Sequence, residues 1–218
     1  MIFGNQDNEA LLTELALIFP DGALAELGRS LSHAHERAFN DSWENEFIRK
    51  ADKASTAGHL RRAYANSQMH GFAEKKGWQV KDVKMGSGND NHVEMRIGRL
   101  VATCHHVQNG QKIPRKAKYL EQAWDINELL SQLDLFKVQE TQSQRRSTNI
   151  FNLMIVYTTN EDYRSQIGDI DFVFATLGET LAAFSITDVI RHQQVLYNLP
   201  GEELFELKTR FNRFQEGA

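Results

Sequence analysis

One cysteine, three prolines and no long apolar run set the first limits on this 218-residue chain. Cys104 alone forms no internal disulfide, and no Cys/His spacing resembles a structural zinc site. A reducing compartment, with neither metal nor cofactor, is therefore the expectation. The chain lacks the roughly 20 consecutive apolar residues that a membrane helix needs. Its first apolar run, Ala10 to Phe19, follows acids rather than lysines and precedes no small-residue cleavage pattern, so it does not read as a signal peptide. These absences point to a cytoplasmic protein without a membrane partner. There is no internal repeat. The length fits one large or two small domains and buries a sizeable core.

The net charge of −4 conceals a strong asymmetry. Residues 1–57 carry ten acids against five bases, a charge of −5, and residues 119–218 carry fifteen acids against eight bases, or −7. Between them, residues 58–118 hold twelve bases, four acids and five of the eight histidines, a charge of +8. A basic island of this kind attracts polyanions and accelerates encounter with them. The division adopted here is an acidic helical N-terminal region, 1–57, and an α+β region, 58–218, whose basic segment is 58–118; the two can form one continuous domain.

Helical signals come first. Asn8 is placed to cap Glu9–Phe19, Pro20-Asp21-Gly22 breaks that helix, and Leu24, Leu27, Leu31, Ala34 and Ala38 form the buried stripe of the next. Phe39, Trp43 and Phe47 continue at spacings of four and are expected as core aromatics. Ser55 and Thr56 are expected to start a third helix running to about Lys76, ended by Gly77, with Leu60, Ala63, Tyr64 and Ser67 on its apolar side. Arg62, Asn66 and His70 line up on its polar side and are read as bordering the site described next.

Strands follow. Trp78–Lys84 alternates, Gly86–Asn91 is a loop, and His92–His106 reads as a hairpin closed by a type II′ turn at Gly98-Arg99. In that register Ile97 faces Leu100, Arg96 faces Val101, Met95 faces Ala102, and so on to His92 opposite His105. Period-two alternation then collects Val93, Met95, Ile97, Leu100, Ala102 and Cys104 on an apolar face. The other face gathers His92, Glu94, Arg96, Thr103 and His105, which are the candidate catalytic residues. Arg62, His70, Arg99, Lys112, Arg115, Lys116 and Lys118 are the candidate nucleic-acid contacts, because mobile cations rearrange readily around a phosphate backbone. Tyr119–Leu135 reads as helix and Gln139–Ser147 as a polar linker. Ile150–Tyr157, nearly continuous in apolar residues, reads as a strand buried on both faces. Asp169–Thr176 and Leu181–Phe184 are further strands, and Asp188–Leu199 and Glu203–Phe214 are closing helices. Asp169 and Asp171 share a strand face without an evident third ligand, which leaves no metal site.

Three resemblances accompany this reading. Arg29 followed by His35 on one helix resembles the Arg/His motif of the HEPN ribonucleases, although Ser30 stands where that motif usually has asparagine. The order helix-strand-strand-strand-helix-strand from residue 58 resembles the core of the PD-(D/E)xK nucleases over about half the chain. That resemblance implies a catalytic acid on the second strand, which Glu94 matches, and an acid-x-lysine on the third, where Thr103-Cys104-His105 stands instead. The core would thus be a degenerate one. Barnase-like ribonucleases are similar in chemistry alone: Glu94 or His92 as base, His105 as acid, Arg96 as phosphate clamp and Thr103 as orienter would cleave RNA through its own 2′-hydroxyl without metal.

The expected fold is thus α+β, a helical N-terminal region followed by a mixed or antiparallel sheet flanked by helices. The expected function is binding of RNA or DNA, in its sharpest form a toxin-like endoribonuclease. The alternative is a noncatalytic factor of antitoxin, immunity or phage-defence type that binds a protein partner.

Overall fold

The computed structural model describes residues 5–84, 91–114, 120, 121, 124, 127, 151–176 and 179–216. Three helices open the chain: α1 (Asn5–Ile18), α2 (Ala23–Phe39) and α3 (Lys53–Lys75). Gly22, at φ 72°, makes the sharp connection between α1 and α2 that an L side chain would resist. Leu24, Leu27, Leu31, Ala34 and Ala38 are buried along α2, as the helical spacing requires. Beyond Phe39 the chain loosens into a π-helical turn, Asn40–Glu44, and leaves it in extended conformation at Asn45. That exit overturns the expected aromatic stripe: Trp43 is only half-buried and Phe47 is 91% exposed.

Six strands then form one sheet in sequential order: β1 (Gln79–Lys84), β2 (Asn91–Ile97), β3 (Leu100–His106), β4 (Phe151–Thr159), β5 (Ile167–Ala175) and β6 (Thr180–Ser185). Every neighbouring pair is antiparallel except β3 and β4, which run parallel and are joined by the long connection that parallel pairing demands. Helices α4 (Ile186–Tyr197) and α5 (Gly201–Glu216) close the chain. The Ser185 hydroxyl caps α4 by accepting from the Asp188 amide at 3.0 Å. The result is an α+β fold with a mixed sheet. No helix among the described residues is long and apolar enough to cross a membrane.

Alternation along the strands divides the core in two. Val93, Met95, Ile97, Leu100, Ala102, Cys104, Phe151, Leu153, Ile155 and Tyr157 face the helices and merge with residues of α1, α2 and α3 into the main core. Met154, Val156, Val173 and Ala175 face the opposite way and pack with Val107, Leu120 and Trp124. The helical residues Leu120, Trp124 and Asn127 thus cover part of that second face. Asn127 fastens them by donating to the carbonyls of Asn152 and Ala175 and accepting from the Asn152 amide. Apart from Glu121, the rest of the expected Tyr119–Leu135 helix and the 139–147 linker lie outside the described residues, as does most of the Gly86–Asn91 loop.

The buried stripe of α3 corrects the expected one. Ala57, Ala65, Met69, Phe72 and Ala73 are buried, whereas Ala63 and Ser67 are exposed. Arg61 falls four residues after Ala57 and four before Ala65, so helical geometry turns it inward. It lies on the core side although it is charged.

Candidate functional site

The hairpin has the expected turn and, over the three pairs nearest it, the expected register. Gly98 has φ 55° and Arg99 has no positive φ, the combination of a type II′ turn, and Ile97/Leu100, Arg96/Val101 and Met95/Ala102 are paired. Along β2, the His92 Nε2 lies 3.1 Å from Glu94 Oε1, and Glu94 also takes the Lys81 ammonium at 2.7 Å. Along β3, the Thr103 hydroxyl and the His105 Nε2 are 2.8 Å apart. Arg96 stays apart from these pairs, exposed, and donates to the Gly98 carbonyl at 3.2 Å.

This face is less open than the sequence implies. His92 is only 4% exposed and His105 is half-buried, paired in register with Val156 of the second core. Burial, with a smaller contribution from neighbouring His92, holds the His105 imidazole down at about 3. Near neutral pH His105 is a neutral imidazole rather than an imidazolium, and its remaining N–H is too weak an acid to serve as a general acid. The physical reason is the position of His105 beside Val156 of the second core, which alternation along its own strand does not reveal.

The expected cationic contacts separate. Arg62 and His70 line one open groove with Asn66, between α3 and the β1–β2 edge, and the Asn66 amide donates to the Asn91 carbonyl at 3.0 Å. Asp82 and Val93, paired across β1 and β2, line the same groove, which places it on the helix-covered side of the sheet. The expectation that this helical row borders the Glu94 face is therefore corrected: the two lie on opposite sides. Arg99 is a structural cation, 6% exposed, with its Nε donating to Glu14 at 2.6 Å and its guanidinium 4.4 Å above the Phe151 ring. Lys112 is exposed and pairs with Asp171 at 3.3 Å. Arg115, Lys116 and Lys118 lie outside the described residues.

The Arg29/His35 pair does not form a unit, because Arg29 is exposed while His35 is fully buried. His35 belongs to a cluster that strand alternation could have indicated, since His106 follows Cys104 and Ala102 onto the helix-covered face. There the His35 and His106 rings are 5.8 Å apart, and Tyr157 presents its ring edge to both. The His106 Nε2 bonds the Thr159 hydroxyl at 2.8 Å, and the His35 Nε2 donates to the Arg164 carbonyl at 3.2 Å. Desolvation, reinforced by the positive charge of Arg61, lowers both imidazoles to about 4. Burial likewise raises the Tyr157 phenol, and it pushes the Cys104 thiol up to about 12, which leaves that thiol inert.

Among the described residues no group of three His, Cys, Asp or Glu side chains is arranged to hold a metal. Comparison with known proteins gives no relative: no family model, no curated protein and no solved structure matches the chain.

Proposed function

We propose that this protein binds nucleic acid through the half of the molecule built from α3, β1, β2 and β3. The observation that carries this reading is the sequential strand order, which converts separation along the chain into separation in space. Residues 58–84 and 91–106, with eight bases against three acids, make one end of the sheet and its covering helix, while β4–β6 and the remaining helices come from the acidic flanks. A protein polarised in this way attracts phosphates at one end and repels them at the other. Arg62 and His70 in the α3 groove, and exposed Lys84 on the edge strand, are the proposed contacts. The groove also contains Glu74 and Asp82, which restricts the favourable potential to its rim.

Binding without hydrolysis is the form the chemistry favours, because His105 is neutral well below physiological pH and Glu94 already has Lys81 and His92 as partners. The helix-strand-strand-strand-helix-strand order is compatible with a PD-(D/E)xK-like ancestry in which the acid-x-lysine has been replaced by Thr103-Cys104-His105. Fluorescence anisotropy with labelled single-stranded RNA and DNA tests the reading. Affinity falls steeply between 50 and 200 mM salt, by a factor on the order of 10³ for about six phosphate contacts. Arg62→Ala and Lys84→Ala each weaken binding of all sequences and reduce the salt slope by about 1. The strand is recovered intact, and Glu94→Ala or His105→Ala leaves binding unchanged. Absence of binding at the lowest salt overturns the reading.

A second reading, a noncatalytic partner-binding factor of antitoxin, immunity or phage-defence type, is favoured by Val195 and Phe205, which are 60% and 70% exposed on the C-terminal helices. Large apolar side chains held in water are what a protein interface would cover.

A further inference from the structure

Beside the His35/His106 cluster lies a second cleft, of about 430 Å³, where the N-terminal half of α3 meets the segments that follow β3 and β4. The carboxyl ends of a parallel strand pair are where open sheets place their ligands, and β3/β4 is the parallel pair here. Three observations give this cleft chemistry.

Its cations lack counter-ions. Arg61 and Arg164 both line it, and neither has a carboxylate partner among the described residues. The Arg61 Nε is shielded from water and has no hydrogen-bond acceptor. Shielding a guanidinium N–H from water without an acceptor is costly, and a bound anion would lower that cost.

One wall is aromatic and held in place. Trp43 is presented by the π-helical turn that interrupts the chain after α2, stacks against Phe39 with rings 6.0 Å apart and 18° from parallel, and has its carbonyl bonded by the Lys53 ammonium. Short π-helical turns of this kind often mark functional positions. Ala54 and Ala57, on the Arg61 side of α3, leave the adjacent floor without bulk.

The remaining rim is polar. Asn109, Thr159, Asn160 and Glu161 line it, and the Asn109 amide donates to Glu161 at 3.1 Å. Glu161 opposes an anion but suits sugar hydroxyls, which donate to a carboxylate.

We propose that this cleft binds a nucleoside monophosphate unit, free or at the 5′ end of a strand, with its phosphate on Arg61 and Arg164, its base on Trp43 and its ribose toward Glu161. The assignment is independent of the α3 groove on the β1 side and shares none of its residues. The neutral state of His35 and His106 agrees with it, because half-buried Arg61 is then the positive charge of that cluster.

Titration calorimetry of the full chain with adenosine 5′-monophosphate, a 5′-phosphorylated tetranucleotide, inorganic phosphate and adenosine tests it. The monophosphate binds about tenfold more tightly than phosphate or adenosine alone, and Arg61→Ala and Arg164→Ala each weaken it about tenfold. Trp43→Ala removes the preference over inorganic phosphate. A tetranucleotide that binds as well as the monophosphate identifies a strand end, and one that binds worse identifies a free nucleotide; either supports the cleft. Arg164 is exposed, so its variant keeps the test decisive if Arg61→Ala disturbs folding. No saturable heat with either nucleotide at millimolar concentration, or affinity that survives both arginine substitutions, overturns the proposal. Arg62→Ala, which weakens long strands in the groove, leaves monophosphate binding unchanged, so failure of one site is not failure of the other.

Discussion

The two ends of β3 treat an arginine drawn toward the core in opposite ways. At its start, Arg99 is enclosed with Glu14 and capped by the Phe151 ring, so that its charge is cancelled within the core. At its end, Arg61 reaches the same helix-covered side of the sheet and meets two neutral imidazoles and a phenol, with no carboxylate beside it among the described residues. A paired buried charge fixes a fold, whereas an unpaired one stores an affinity for something outside it. The first end belongs to the architecture and the second to a ligand.

The largest effect expected from breaking this contrast is at the paired end. Glu14→Ala removes the carboxylate that holds the buried Arg99 guanidinium and costs about 3–5 kcal/mol, read as the shift in urea midpoint, whereas Arg61→Ala leaves stability within about 1 kcal/mol of the wild type. Equal losses at the two positions would erase the distinction. Next is acid sensitivity. His35, His105 and His106 are held below their unfolded value, so their neutral forms contribute stability that is complete above about 6.5. As pH falls the unfolded chain takes up protons that the folded chain refuses, and stability declines from about pH 6.5 toward about 4. Each imidazole contributes up to about 2 kcal/mol of that loss by pH 5, and His35→Gln flattens the stability–pH curve accordingly.

A smaller effect sharpens the Arg61 end. Because the Arg61 charge is one cause of the depressed His35 and His106 values, Arg61→Gln raises both, by less than about one unit, in an NMR titration. Saturating adenosine 5′-monophosphate moves them the same way in the wild type, since a phosphate neutralises the same charge. Smallest is Thr103→Val, which removes the hydroxyl 2.8 Å from His105 and costs about 1 kcal/mol in thermal or urea unfolding, with no change in nucleic-acid affinity.

Much of the architecture was legible because it follows from local periodicity. The II′ turn at Gly98, the three registered pairs beyond it, the apolar stripe of α2 and the doubly buried β4 are written in spacings of two and of three to four residues. The third helix shows where such reading slips. The expected apolar side of Leu60, Ala63, Tyr64 and Ser67 does not include Arg61, whereas Ala57, Ala65, Met69 and Phe72 define a stripe that contains it. Alanines carry a weak hydrophobic signal, and a charged residue between them argued against the correct face. The same weakness hid His106, whose alternation with Cys104 pointed inward all along.

By itself the sequence determined the charge blocks, the hairpin and its register, and the alternation that assigns each strand residue to a face. These depend on neighbours in the chain and on fixed backbone geometry. Only the tertiary structure decided that Leu120 and Trp124 lie over part of the second face, that Arg99 meets Glu14 across 85 positions, and that His35, Arg61, His106 and Tyr157 converge. Those encounters are set by how helices seat on the sheet, which depends on the shape of the whole core and leaves no periodic trace in the chain.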